Sequence, residues 1–208
     1  ARVKKSDLIG LGVAFFATLA LGIELGIVVA VVASMLVVFA RMSMPHSATL
    51  GHVEGTTSYR NVNRFPEATT IEGIRIVRID AALSFVNAVG VKRLLLEHAE
   101  QVVDEPRALV LDASGINDID ATGADMLAGV VTELADRRVN FHLTDVKGPV
   151  RDVLRRAGIW DRLAVRVHTS TNDAVAAIRA SRSAPTDKRR FGIDERREID
   201  PDPQAVLH

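Results

Sequence analysis

The hydrophobic pattern divides the chain into stretches of different kinds. Residues 8–39 are almost uninterrupted Leu, Val, Ile, Ala, Phe and Gly, with Glu24 their one charge. As a single straight helix this run would extend about 48 Å at 1.5 Å per residue. A bilayer's hydrocarbon core is about 30 Å thick and is matched by about 20 residues. The excess length and the glycines of Leu21-Gly22-Ile23-Glu24-Leu25-Gly26 predict a break there. Two helical pieces are expected, over residues 7–21 and 27–40, each short for a full crossing, forming a transmembrane helical hairpin over residues 1–41. At membrane depth such a break is tolerated only where other protein covers the freed backbone groups. The hairpin is therefore expected to complete a larger membrane domain on its N-terminal side, missing here. Arg2, Lys4 and Lys5 precede the run and Arg41, Arg60 and Arg64 follow it, which suits two ends facing the cytoplasm. The run is too long for the apolar region of a signal peptide. Glu24 is read as a polar turn residue in preference to a functional intramembrane carboxylate, because glycines on both sides already mark a turn.

Residues 42–72 hold Gly51, Gly55, Pro66 and many Ser, Thr and Asn with no sustained periodicity, and read as an extended linker on which Tyr59 and Phe65 can anchor. From Gly73 the pattern becomes that of a globular domain over residues 73–180. Ile74-Arg75-Ile76-Val77-Arg78-Ile79 alternates as a strand does, and Leu83-Ser84-Phe85-Val86 reads as a second short strand. Asn87 is positioned to cap a helix striped by Val91, Leu94, Leu95, Ala99 and Val102. Ala108-Leu109-Val110-Leu111 is continuous enough for a strand buried on both faces. A helix over residues 121–138, a strand over 139–143, a helix closed by Gly158, a strand over 164–167 and a helix capped by Asn172 or a nearby threonine complete the series. Strands alternating with helices imply an α/β domain with a mixed, largely parallel sheet. Residues 181–208 carry six basic and six acidic side chains among few large apolar ones, and are expected to be a disordered tail.

Composition removes several classes. Twenty-six basic and 26 acidic residues cancel, which takes away the basic bias of a nucleic-acid binder. No cysteine is present, so no disulfide framework or thiolate site exists. The six histidines are scattered without metal-site spacing, so no metal is expected. No nucleophile–base pairing that would suggest an enzyme is visible.

Leu109-Val110-Leu111-Asp112-Ala113-Ser114-Gly115-Ile116-Asn117-Asp118-Ile119-Asp120-Ala121-Thr122-Gly123-Ala124 resembles the signature of the STAS domain, shared by soluble anti-sigma-factor antagonists and SulP sulfate permeases (solute carrier family 26). Gly22-Ile23-Glu24-Leu25-Gly26-Ile27, Leu50-Gly51-His52-Val53-Glu54-Gly55-Thr56-Thr57 and Arg78-Ile79-Asp80-Ala81-Ala82-Leu83-Ser84-Phe85 resemble, in order, the last membrane hairpin, connector and STAS start of the permease branch. The resemblance implies the C-terminal portion of a secondary-active anion transporter, multi-pass in the plasma (inner) membrane. It would carry sulfate or another small anion, with a cytoplasmic STAS domain regulating transport or assembly. It further implies a homodimer and a cytoplasmic regulatory protein as partners. The alternative is a free-standing STAS signalling module of the antagonist type, switched by phosphorylation or nucleotide.

The candidate regulatory loop is Asp120, Thr122 and Gly123. Asp120 lies between a buried strand and an amphipathic helix, where its carboxylate suits the first helical N–H groups, and Gly123 lets the helix pack close to the sheet. In the soluble antagonists the resemblance implies phosphorylation of a hydroxyl in the two positions after this aspartate. Here Ala121 leaves only Thr122, where a phosphate would gain from the helix N-terminus but meet Asp120 and Asp125. Plain capping is the favoured reading. A guanine or adenine nucleotide is the other possibility, with Ser114, Thr122, Lys147 and Arg151 as contacts, although no P-loop is present.

Overall fold

The computed structural model describes residues 5–163 and 166–183. The first element, α1 (Lys5–Ser43), is helical except at Gly22, whose φ of 84° and ψ of 170° interrupt it. The chain reverses there. A Cβ built on Gly26 would lie 2.6 Å from the Thr18 Cα, a separation that eight residues of continuous helix cannot produce, so the arms on either side of Gly22 pack together. The expected hairpin break is thus realised at one residue, with Gly26 inside the second arm. That arm is longer than the expected 27–40 piece: Ile23–Ala40 reaches a mean hydropathy of 2.6, enough by length and composition to cross a membrane. Its side chains are largely exposed, as a helix awaiting lipid or other protein would be.

The rest folds around one seven-stranded sheet. Its strands are β1 (Ser47–Val53), β2 (Tyr59–Asn61), β3 (Ala68–Thr69), β4 (Ile74–Ile79), β5 (Ala108–Asp112), β6 (Asn140–Thr144) and β7 (Val167–His168), in the order β2-β1-β4-β5-β6-β7 with β3 also on β1. The strands β4 to β7 run parallel, whereas β1 is antiparallel to β2, β3 and β4. Between them lie α2 (Ala88–Glu100), α3 (Ala121–Asp136), α4 (Gly148–Arg156), the short turn α5 (Trp160–Leu163) and α6 (Thr171–Ser183).

Side-chain alternation sorts the sheet into two cores. Val77, Ile79, Leu109, Leu111, Phe141 and Leu143 face Val91, Leu95, Leu127, Val130 and Leu154 of α2, α3 and α4. Leu50, Ile74, Ile76 and Val110 face Ala174, Val175 and Ile178 of α6. All of β5 is buried, as a strand covered by helices on both faces must be.

Four expectations need correction. Residues 42–72 are not a bare connector: they supply β1, β2 and β3, because Ala48 and Leu50 complete the α6-side core and β1 takes the free edge of β4. Residues 83–86 form no strand; Leu83 makes a single bridge to Ile119 and the chain then turns into α2. Asn87 sits at the N-cap of α2 without capping it by its side chain. Its amide instead staples the turn, donating to the Ala82 carbonyl at 2.8 Å and accepting from the Ser84 N–H at 3.0 Å. Ser170, not Asn172 or a threonine, caps α6, its Oγ accepting from the Asp173 N–H at 3.2 Å. Tyr59 packs on the α6-side core and Arg60 lies 5.5 Å over the Phe65 ring. Of the expected tail, residues 184–208 lie outside the described residues, as do 164–165 of the last predicted strand.

Candidate functional site

The loop after β5 is fastened before it reaches Asp120. The Asp112 Oδ1 accepts from the Ser114 N–H at 2.9 Å, the Ala113 N–H donates to the Thr144 carbonyl at 2.9 Å, and Ile116 and Ile119 are buried as pins. Asp120 then adopts extended backbone (φ −90°, ψ 177°) and starts α3. Its carboxylate serves two elements. Oδ1 accepts from the Gly123 N–H at 2.7 Å, capping α3, and Oδ2 accepts from the Phe85 N–H at 2.9 Å, holding the turn that enters α2. The backbone repeats the link: the Asp120 N–H donates to the Leu83 carbonyl and the Leu83 N–H to the Asp118 carbonyl, both at 3.0 Å. Gly123 is required by the same contact, since a Cβ there would lie 2.6 Å from the Leu83 carbonyl oxygen. Asp120 and Gly123 therefore weld the starts of α2 and α3 into one corner.

Thr122 is exposed on the first turn of α3, with Asp125 exposed on the same side of the helix start. A phosphoryl group there would meet a helix N-terminus, which favours it, and two carboxylates, which do not. The four residues expected around a nucleotide form no single constellation. Ser114 and Arg151 are exposed, Lys147 binds Asn117 Oδ1, and among the described residues no hydrogen bond joins Thr122 to the other three.

Two groupings escaped the sequence reading. A cleft of about 380 Å³ opens at the carboxyl ends of β5 and β6, lined by Thr57, Tyr59, Asp112, Asp145, Ser170, Thr171 and Asn172. Burial, then the nearby Asp112 charge, push the Asp145 carboxyl above the usual carboxylate range. Two carboxylates make this cleft hostile to phosphate. The signal was present, since Asp112 ends β5 and Asp145 directly follows β6, at the strand ends where open α/β sheets place their ligands. The second grouping is a histidine pair. His142 Nδ1 and His168 Nε2 lie 3.0 Å apart on adjacent strands, with the rings stacked. Burial, then His168 and Arg166, push His142 down to about 4. Burial also lowers His168, against the pull of Asp173.

The family model described as the STAS domain matches residues 65–174. A Mycobacterium tuberculosis protein named "Probable sulfate transporter" is 32% identical over 163 residues, covering 78% of this chain and 29% of its own length. An Arabidopsis thaliana protein named "Probable sulfate transporter 4.2" is 34% identical over 200 residues, 89% of this chain and 29% of its own. That coverage exceeds what residues 44–208 can supply, so the likeness extends into α1. The solved structure of the murine solute carrier 26 family member A9 anion transporter, in the inward-facing state, superposes with a TM-score of 0.72 at 26% identity, over 85% of this chain and 29% of that one. The chain thus spans under a third of the curated relatives it matches. Sulfate-transporter relatives of the SulP and solute carrier 26 type cover helix and domain together, and with over half of its residues matched by the family model, this chain belongs to the STAS domain family.

Proposed function

We propose that this chain is the C-terminal portion of a secondary-active inorganic anion transporter of the sulfate type. Its STAS domain would lie on the cytoplasmic side of the inner membrane and regulate transport or assembly. The observation that carries this reading is the direct joining of an apolar hairpin to the sheet. Only residues 44–46 separate α1 from β1, so an apolar hairpin and a globular domain are directly joined, and the likeness to a relative named a sulfate transporter runs across that junction. The exposed apolar surface of the second arm calls for lipid and for a preceding membrane domain. In such transporters anion sites form where half-helix N-termini meet near the bilayer midplane, and no residue described here is assigned to one. Dimer formation and a cytoplasmic regulatory partner belong to the same reading.

Within it, the Asp120 corner is the regulatory element. It ties two helix starts together, and Thr122 is the hydroxyl on it that a kinase can reach.

The test is radiolabelled sulfate uptake by cells expressing the complete reading frame, with and without residues 44–183. Uptake by the complete protein, altered on deletion while the amount in the membrane is unchanged, is expected. Absence of uptake of sulfate, bicarbonate and other small oxyanions by well-expressed complete protein would overturn the proposal.

A further inference from the structure

The most exposed large apolar side chains of the globular part include Val89 (82%) and Phe85 (69%), which flank the start of α2. Their place follows from how α1 enters the sheet. Ser47 pairs with Ile79, the last residue of β4, and the His46 carbonyl accepts from the Asp80 N–H at 2.9 Å. The membrane arm therefore joins the domain at the carboxyl end of β4, the end at which α2 begins. Contact there is direct: a Cβ on Gly90 would lie 2.7 Å from the Ser43 carbonyl oxygen. Met44 and Pro45 continue along α2, facing Leu94 and Arg93.

The depth of this contact can be counted along the helix. The apolar span ends at Ala40, and Ser43 lies three residues on, about 4.5 Å at 1.5 Å per residue. The headgroup layer on each side of the hydrocarbon core is about 5–7 Å thick. With α1 in a membrane, Gly90 sits at headgroup depth; Val89 is its neighbour in the first turn of α2, and Phe85 lies five residues before it, in the turn that leads into α2. We infer that the start of α2 is an interfacial anchor, with Phe85 and Val89 entering the boundary between lipid headgroups and acyl chains. The partner is the lipid surface itself. Apolar side chains just past the end of a span are stable in that layer, and continuity with the span puts them there without any further docking energy. The anchor lies on the corner that Asp120 holds through the Phe85 N–H, so the regulatory loop and the lipid contact share one support.

This inference rests on the membrane reading of α1, and the test separates the two. The chain lacks cysteine, so single spin labels can be placed by Leu36→Cys, Phe85→Cys, Val89→Cys and Val103→Cys in the full chain reconstituted into phosphatidylcholine liposomes. Val103 is 74% exposed but follows the far end of α2, about 20 Å from its start, and is the aqueous control. Collision with oxygen, which concentrates in lipid, is compared with collision with a water-soluble nickel chelate. Labels at 36, 85 and 89 are expected to favour oxygen, and the label at 103 the chelate. Labels at 85 and 89 behaving like 103 while 36 stays in lipid would overturn the anchor alone. Low access to both reagents at 85 and 89 would mean that protein, a second copy or the preceding membrane domain, covers them, and would overturn it too. A water-accessible label at 36 would sink the membrane reading and the anchor together. Should Phe85→Cys fail to fold, as judged by Trp160 fluorescence, Val89→Cys carries the test, because its side chain is the more exposed of the two.

Discussion

Gly123 and Gly129 lie in the same helix, and the structure predicts opposite responses to the same substitution. In a helix, replacing Gly by Ala ordinarily stabilises by about 0.5–1 kcal/mol through reduced backbone entropy of the unfolded chain. A Cβ on Gly129 meets nothing within 4 Å, so Gly129→Ala is expected to show that gain. At Gly123 the added carbon would lie 2.6 Å from the Leu83 carbonyl oxygen and 2.9 Å from its carbonyl carbon. Both are backbone atoms, and the oxygen already accepts from the Asp120 N–H. Relief requires moving α3 away from the turn before α2. Overpacking of this kind costs about 1–3 kcal/mol, and weakening one hydrogen bond of the corner adds about 0.5–1.5 kcal/mol. The clash therefore outweighs the propensity gain, and Gly123→Ala is expected to destabilise by about 1–3 kcal/mol. Urea unfolding of the full chain in detergent micelles, followed by its single tryptophan, Trp160, measures both variants. Equal stabilisation by the two substitutions would refute the close approach at the Asp120 corner.

Asp120→Ala removes a cap and a second backbone acceptor at once and is expected to cost about 1–3 kcal/mol. Asp120→Asn, which turns an N–H toward one of the two donors, should fall between it and wild type in the same urea measurement. The folded pKa of His142, about 4, lies below the unfolded value of about 6.5, so the unfolded chain takes the proton first. The contribution of His142 to stability is therefore present above pH 6.5 and is lost as pH falls toward 4. After discounting for the ring's partial exposure, about 1 kcal/mol should disappear between pH 7 and pH 5. The difference in urea midpoint between those pH values should shrink in His142→Gln, and an unchanged difference would remove the histidine pair as the cause. Gly22→Ala places a Cβ at φ 84°, ψ 170°, backbone that costs a non-glycine residue about 1–3 kcal/mol. Spin labels at Leu19→Cys and Ile27→Cys should then report a population with the two arms farther apart.

The Asp120 site was legible in the sequence because its signals are local. A four-residue apolar run, an acidic cap and a helical stripe lie within 30 residues and point to one β-loop-α unit. What Asp120 does beyond capping was not legible, since its second partner, the Phe85 N–H, lies 35 positions away. The same holds for residues 42–72. Within β1 only Ala48, Leu50 and Gly51 are buried, too few to announce a strand, and the edge that recruits β1 belongs to β4, still to come in the chain. The histidine pair depends on the register between β6 and β7, which no spacing along the chain encodes. The Gly-rich break was readable to within a few residues because only glycine adopts the backbone found at Gly22.

The position of β1 also decides where this protein can be cut. The family pattern begins at residue 65, but a fragment starting there discards β1 and β2. It would leave β4 with an unpaired edge and the α6-side core without Ala48 and Leu50. An open apolar edge of that kind invites pairing between copies, so such a fragment should aggregate where one beginning at Met44 stays dispersed. The strand that completes the sheet thus travels with the membrane helix rather than with the recognisable domain. Any recombination that separates the two must find a replacement strand, and in this architecture hairpin and domain are inherited as one piece.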